Sequence, residues 1–336
     1  MRGVSVPCGD SVPPVGPTVL VTGGTGFVGR RVVPRLAAAG WRVWLLSRRT
    51  PPDLPAGVSV CEVDLFDQPR VRQVVAEIAA SPSGLGATQP RTSGLHALHL
   101  AWEATPGVFW KSPANLEWLA SSVNLLRAFA DAGGSRFVGV GTCAEYAWNH
   151  ADGLCHETLT PRTPATLYGR CKLAFAEVAE TFCRDRGLSF AWGRVFAPYG
   201  PGEPPQKLVG AILNDLLAGR PTRCSDGTQW RDYLHVDDLA AALEKLLGSP
   251  LAGALNLASG EPVRLADLVR LAGEVCGRTD LVRLGDLTAP PGDPPRLLAD
   301  VRRLREELGW RPAIPLDEGL RQSAAWWRHH LAPRPG

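Results

Sequence analysis

Along the first half of the chain, short continuous apolar runs alternate with longer segments in which apolar residues recur at helical spacing. The first run, Val19-Leu20-Val21, reads as a buried strand, and a helical pattern follows over residues 26–39. Pro34 falls inside that pattern, and its missing backbone donor predicts a kink or a loosened turn. Residues 41–46 and 58–63 read as second and third strands, 68–80 as a helix and 96–101 as a fourth strand. A Ser/Pro/Gly/Thr stretch at 81–93 reads as a surface loop. Over 113–132, Leu116, Leu119, Val123, Leu126 and Ala130 keep the helical period, and Gly133-Gly134 stops the helix. Residues 136–141 make a fifth strand ending in Thr142. Such alternation predicts a parallel sheet covered on both faces. Past Phe196 the rhythm changes to a Pro/Gly loop at 197–205, short helices, a small strand at 254–257 and a Pro-rich loop at 289–295.

Gly23, Gly26 and Gly29 join the first strand to the first helix at the spacing G-x-x-G-x-x-G. A strand-to-helix turn needs a residue tolerant of positive φ, and backbone must come close to a pyrophosphate at the helix N-terminus. In this context the stretch predicts a dinucleotide site, with Thr25, Phe27 and Val28 in the same turn. The second strand ends in Ser47-Arg48-Arg49. An acid there would hold the 2′-hydroxyl of NAD, whereas an arginine pairs with a 2′-phosphate, so NADP (as NADPH) is favoured over NAD. The expected organisation is a disordered tail at 1–16 and a dinucleotide-binding domain at 17–196, to which a segment at about 229–258 returns. A mainly substrate-binding region is expected at 197–330.

Composition narrows the class further. The 336 residues, 45% hydrophobic and 21% charged, suit a globular protein with an ample core. A net charge of +3, from 36 basic and 33 acidic side chains without a dense basic run, gives no footprint for nucleic acid. No stretch approaches the roughly 18 apolar residues of a membrane span, and the start of the chain lacks a signal-peptide pattern. Eight scattered cysteines without C-x-x-C pairs argue against a zinc site or a disulfide framework and fit a reducing, cytoplasmic setting. With only four lysines (Lys111, Lys172, Lys207, Lys245), a lysine with a catalytic role is easy to find.

Tyr168 and Lys172 stand four residues apart at the head of a helical segment, so both project from one face. A free phenol ionises near pH ~10. A cation one turn away is expected to favour the phenolate and bring proton exchange toward neutrality. The pair follows the fifth strand and the hydroxyl of Thr142 at its carboxyl end. In order, Thr22-Gly23-Gly24-Thr25-Gly26-Phe27-Val28-Gly29, Asp64-Leu65, His99-Leu100-Ala101, Asn124, Thr142, Tyr168-Gly169-Arg170-Cys171-Lys172, Tyr199-Gly200-Pro201-Gly202 and the segment Arg231 to Asp238 form an ordered set. That set resembles an extended short-chain dehydrogenase/reductase, more narrowly the nucleotide-sugar epimerase/dehydratase/reductase group, over nearly the whole chain.

The resemblance implies an α/β fold: a Rossmann-type doubly wound parallel sheet with a smaller mixed α/β C-terminal substrate-binding region. It implies Thr142 and Tyr168 at the sugar oxygen undergoing redox, Tyr168 as acid/base, and Lys172 as its support and a contact of the nicotinamide ribose. Cofactor contacts are implied at Asp64, Leu65, Leu100 and Ala101, and diphosphate contacts at Arg231 and Arg296, with Lys207 and Tyr199 on the approach to the site. The substrate implied is a nucleotide-diphosphate sugar, and a homodimer through the helices near 113–132 and 168–184 is implied as well.

Two departures stand out. Dehydratases of this group carry an acid two residues after the catalytic Thr or Ser, and here that residue is Ala144. Glu145, one further on, is expected to point the other way on an extended backbone, unless a turn follows Thr142. The segment from Trp102 to Trp118 is rich in tryptophan and reads either as loop packing or as a wall of the sugar pocket, with Trp102 a substrate contact. Three functions follow: an NADPH-dependent reductase of a nucleotide-linked 4-keto-6-deoxyhexose, an epimerase that retains NAD, or a non-catalytic NADP-binding protein. The intact Thr142, Tyr168 and Lys172 weigh against the last, and Arg48-Arg49 favours the first.

Overall fold

The computed structural model describes residues 16–81, 94–149 and 152–331. Apart from Gly16 and Ser81, the expected tail at 1–16 and the expected loop at 81–93 lie outside the described residues. In chain order the elements are β1 (Thr18–Thr22), α1 (Gly29–Ala38), β2 (Arg42–Ser47), β3 (Val58–Glu62), α2 (Gln68–Ala80), β4 (Leu95–His99), α3 (Ala114–Asp131), β5 (Gly134–Thr142), β6 (Leu154–Cys155), α4 (Leu167–Asp185) and β7 (Ser189–Val195). They continue with β8 (Pro198–Tyr199), α5 (Leu208–Leu217), β9 (Thr222–Arg223), β10 (Trp230–Asp232), β11 (Leu234–His235), α6 (Val236–Leu247), β12 (Gly253–Leu257), β13 (Pro262–Arg264), α7 (Leu265–Cys276), β14 (Val282–Arg283), β15 (Arg296–Ala299), α8 (Arg302–Glu306) and α9 (Leu316–Leu331).

Seven strands form a parallel sheet in the order β12-β7-β5-β4-β1-β2-β3. Val19, Leu20 and Val21 are at most 1% exposed, which is why this run is continuously apolar rather than alternating. The strand order reverses direction between β1 and β4, the place where ligands bind in doubly wound sheets. Local chemistry sets the helix starts. Asp67 caps α2 by accepting the Arg70 N–H, and Thr166 caps α4 by accepting the Gly169 N–H at 3.1 Å. Helix α1 runs through Pro34 without a break, in place of the expected loosened turn.

The chain divides into two compact units. One gathers the described residues up to Glu145 with Pro164–Arg194 and Ala240–Leu255. Its core includes Val74, Val75, Phe129, Phe137 and Phe175, each fully buried. Arg136 is a buried cation in this unit. Its guanidinium donates to the carbonyls of Leu246, Leu247 and Leu251 at 2.7 to 3.1 Å, which ties the end of α6 to β5. The second unit gathers Tyr146–Thr163, Val195–Leu239 and the described residues from Asn256 onward, around Leu213, Leu216, Leu268, Val269 and Leu320.

This division differs from the expected one at 196 and 197. Residues 146–163 leave the first unit because β6 pairs with β15. Of the returning segment at 229–258, only residues 240–255 join the first unit; residues 229–239 and 256–258 belong to the second, where β10 pairs with β13 and β15, and β11 with β8.

Candidate active site

The glycine turn is built by exclusion. Gly23 has φ +70°, and a Cβ on it would lie 2.6 Å from the backbone nitrogen of Ala101 and 2.8 Å from the carbonyl carbon of Leu100. Strand β4 ends at His99, so Leu100 and Ala101 leave the sheet and close on the first turn at the switch point. A Cβ on Gly29 would strike the Gly23 carbonyl at 2.2 Å, which fixes the start of α1 against the turn. Gly26 differs, because a Cβ there meets only the Gly23 oxygen, at 3.3 Å. The turn therefore presents open backbone above the start of α1, a helix with no side-chain cap and no acid in its first turn. Those are the properties a pyrophosphate needs. Below the turn, Thr22 Oγ1 lies 2.7 Å from His99 Nδ1 and accepts the Ala101 N–H, and His99 Nε2 lies 2.9 Å from Ser122 Oγ.

At the outer edge of β2, Arg48 and Arg49 are exposed. The nearby Glu62 is occupied, accepting Thr50 N–H and Oγ1–H at 3.0 and 2.8 Å. Glu103 lies within the field of Arg48, which helps hold its carboxyl below the usual range after the larger effect of its bonds to Thr105. Asp64 is exposed and accepts the Phe66 N–H, while Leu65 is buried with its carbonyl accepting from Ser121.

Thr142 ends β5, and residues Cys143–Glu145 wind into a short 3-10 turn. The Thr142 side chain faces the Tyr168 side chain and works to lower its phenol pKa. Lys172 is 3% exposed, and its Nζ donates to the Val140 carbonyl at 2.8 Å and sits 4.1 Å over the Trp102 ring. Gly169 lets α4 come this close: a Cβ on it would lie 2.4 Å from the Ala144 carbonyl oxygen. The expected electrostatics are corrected here. Burial raises the Tyr168 phenol above its ordinary range, only partly offset by Thr142. Burial also lowers the Lys172 ammonium to about 7. Loss of water outweighs any help from the neighbouring cation, so the phenol stays protonated at neutral pH.

The tryptophan-rich segment forms one face of this floor. Asn115, fully buried, accepts Trp102 Nε1–H at 2.8 Å and donates to the carbonyls of Phe109 and Ser112, also at 2.8 Å. Phe109 and Trp110 stand edge-on to the Tyr168 ring at 4.8 and 5.7 Å. Sequence reasoning missed Asn115, and it also missed what lies under Thr142. Glu145 is fully buried: it accepts the Thr142 N–H at 2.9 Å, Trp192 Nε1–H at 3.0 and 3.1 Å, and Arg194 Nε–H at 2.7 Å. The signal was Arg194 itself, a lone charge in the apolar run Phe190 to Val195, which had to find a buried partner.

The motif residues of the second unit divide sharply. Tyr199 is 2% exposed and stands edge-on to Tyr233 and His235 in the core, and with them it lines a cavity of the second unit. Lys207 starts α5, half-buried near Glu203. Arg231 pairs with Asp293 at 2.5 Å and donates to its neighbour's carbonyl, while Arg296 is exposed on β15 opposite Trp230. Two of the three acids that follow Arg231, Asp232 and Asp238, act on backbone. Asp232 accepts Ser259 N–H, Ser259 Oγ–H and Gly260 N–H at 2.6 to 2.9 Å, and Asp238 accepts Ala313 and Ile314 N–H groups at 3.1 and 2.9 Å.

Comparison with known proteins adds three relatives and a family. The model of the NAD dependent epimerase/dehydratase family matches residues 19–82 and 93–258. A dTDP-4-dehydro-6-deoxy-D-allose reductase from Streptomyces bikiniensis is 28% identical, over 94% of this chain and 97% of the relative. The structure of Thermus thermophilus UDP-glucose 4-epimerase in complex with NAD superposes with a TM-score of 0.78 at 26% identity, over 93% of this chain and 99% of that one. MoeE5 in complex with UDP-glucose and NAD superposes with a TM-score of 0.77 at 30% identity, over 94% of this chain and 100% of that one. No helix among the described residues is long and apolar enough to cross a membrane.

Proposed function

The chain belongs to the NAD dependent epimerase/dehydratase family, as an NAD(P)-dependent oxidoreductase or epimerase of the extended short-chain dehydrogenase/reductase type, and from that premise we propose that it is an NADPH-dependent reductase of a nucleotide-linked 4-keto-6-deoxyhexose. The observation that carries this reading is the exposed Arg48-Arg49 pair at the end of β2, which suits a 2′-phosphate. When bound against the glycine turn and the Arg48-Arg49 pair, NADPH would supply the hydride that reduces a sugar carbonyl. Tyr168 gives its proton to the oxygen that becomes an alkoxide, and the Thr142 hydroxyl facing Tyr168 helps to hold that oxygen. A phenol that burial keeps protonated suits this direction. Dehydration finds little support, since Ala144 offers no acid and Glu145 is bound up beneath the floor.

The second reading, an epimerase retaining NAD, draws support from Glu103, whose carboxylate lies in the field of Arg48 and opposes a phosphate there. The solved relatives that hold NAD point the same way. Purified protein given NADPH and a dTDP-linked 4-keto-6-deoxyhexose separates the two. The reductase consumes the reduced-nicotinamide absorbance in step with alcohol formed, and changing Arg48 and Arg49 to Asp and Ser moves the preference toward NAD. Exchange of sugar isomers on tightly held NAD, with no NADPH consumed, would overturn the proposal in favour of the epimerase.

A further inference from the structure

We propose that Glu145 is a positioning residue of the reaction: pinned by Arg194 and Trp192, its carboxylate holds the Thr142 backbone under the Tyr168 hydroxyl and sets a fixed negative charge beside the Tyr168–Lys172 pair. The inference rests on the reading of Tyr168 as proton donor. Its basis is a set of contacts that lie within one unit. The Glu145 oxygens accept three donors, from the Thr142 backbone, the Trp192 indole and the Arg194 guanidinium, and the side chains of Glu145 and Arg194 are 0% and 1% exposed.

The backbone around the acid is shaped to it. A Cβ on Gly141 would lie 2.3 Å from Glu145 Oε1 and 2.2 Å from Trp192 Nε1, so only glycine fits beside the carboxylate. Trp192 in turn presents its ring to Lys172 Nζ at 5.8 Å. The same acid therefore touches the residue that faces Tyr168, and the indole beside Lys172. Its charge acts on both members, favouring the protonated forms of Tyr168 and Lys172.

The other groups facing the pair are few. Thr142 and Cys143 face Tyr168, with the Phe109 and Trp110 rings on its far side. His99 on β4 and the Trp102 and Trp192 indoles face Lys172, and Arg194 on β7 faces Glu145. His99 is held neutral by burial, its pKa pushed down to about 3, so it does not titrate with them. Replacing Glu145 by Gln removes the charge and turns an amide N–H₂ toward donors it cannot accept.

The test is the pH dependence of NADPH oxidation with a dTDP-linked 4-keto-6-deoxyhexose in the wild type, Glu145→Gln, Glu145→Asp and Tyr168→Phe. For Glu145→Gln, kcat is expected to fall about tenfold or more while KM changes less than about threefold. Its alkaline limb is expected to move down by about one pH unit, since loss of a negative charge lets the Lys172 ammonium, and above it the phenol, give up a proton earlier. Glu145→Asp keeps the charge, and its limb is expected to stay with the wild type even where kcat falls. An unshifted limb in Glu145→Gln, or equal shifts in both variants, would overturn the role. So would failure of both variants to bind NADPH, which marks a purely structural acid. Tyr168→Phe is the control for the underlying reading: full activity there sinks the proton-donor assignment itself, whereas loss there with an unshifted Glu145→Gln profile sinks only the part given to Glu145.

Discussion

Two stretches of this chain are equally dense in polar residues that read as chemistry, and the structure uses them in opposite ways. From Thr142 to Lys172 the reactive groups converge, since the Thr142 side chain faces Tyr168 and Lys172 lies between Val140 and Trp102. From Arg231 to Asp238 most of the polar groups turn onto the protein's own backbone or salt partners. Asp232 clasps Ser259 and Gly260, Asp238 clasps Ala313 and Ile314, and Arg231 pairs with Asp293. Burial does different work in each. In the first stretch it sets protonation states, and in the second it makes carboxylates acceptors for N–H groups that would otherwise lie unpaired at loop ends. A run of motif residues is thus a mixture of chemistry and architecture, and hydrogen-bond partners tell the two apart.

The sharpest way to break that comparison is Tyr168→Phe. If the first stretch is chemical, loss of one oxygen should lower turnover by about 10²- to 10⁴-fold, while NADPH affinity by fluorescence titration and the urea midpoint stay near wild type. Asp232→Ala should do the reverse. Three donors lose their acceptor at a residue 1% exposed, so unfolding in urea is expected to cost about 2–4 kcal/mol less. Turnover per folded molecule should hardly change. Were Asp232→Ala to abolish turnover at full stability, the second stretch would be chemical too.

Much of the first unit was legible because its strands are buried on both faces and its helices are punctuated by Gly, Asp and Thr. Helix α2 matches its expected span, and the other ends move by a few residues. The family, the sheet and the glycine turn were all readable from Gly23 to Gly29 and from the order of motifs that follows. What could not be read depends on distant partners. Strand β6 has two residues and no periodicity, yet its pairing with β15 carries residues 146–163 into the second unit. Tyr199 sits beside a Gly-Pro-Gly turn that looks like a binding loop, and only its packing against Tyr233 and His235 reveals a core residue. The Tyr168–Lys172 spacing suggested a depressed phenol pKa, because charge is visible in a sequence and desolvation is not. Glu145 was expected to face away on an extended backbone, and the 3-10 turn after Thr142 brought it underneath.

The smallest expected effect separates the two units by the sign of their pH response. Lys172 in the first unit is held by burial at about 7, below its usual 10.5. Between those values the unfolded chain binds the proton that the folded chain has released, so this residue makes stability rise with pH, and the contribution is lost as pH falls through 7. Glu203 in the second unit is 4% exposed and accepts the Gly210 N–H, and burial pushes its carboxyl up to about 8 from 4.5, against the opposing charge of Lys207. Here the folded chain keeps the proton longer, so this residue makes stability fall as pH rises from 4.5 through 8. Each slope is at most about 1.4 kcal/mol per pH unit. Urea unfolding at about pH 5 and about pH 8 should therefore show Glu203→Gln losing less stability than the wild type as pH rises, because its amide oxygen still accepts the Gly210 N–H without any charge to desolvate. Lys172→Met, measured between about pH 7 and about pH 10, should remove a rise instead of a fall. Equal slopes in Glu203→Gln and wild type would mean that Glu203 binds protons alike in the folded and the unfolded chain, and so that burial does not raise its carboxyl.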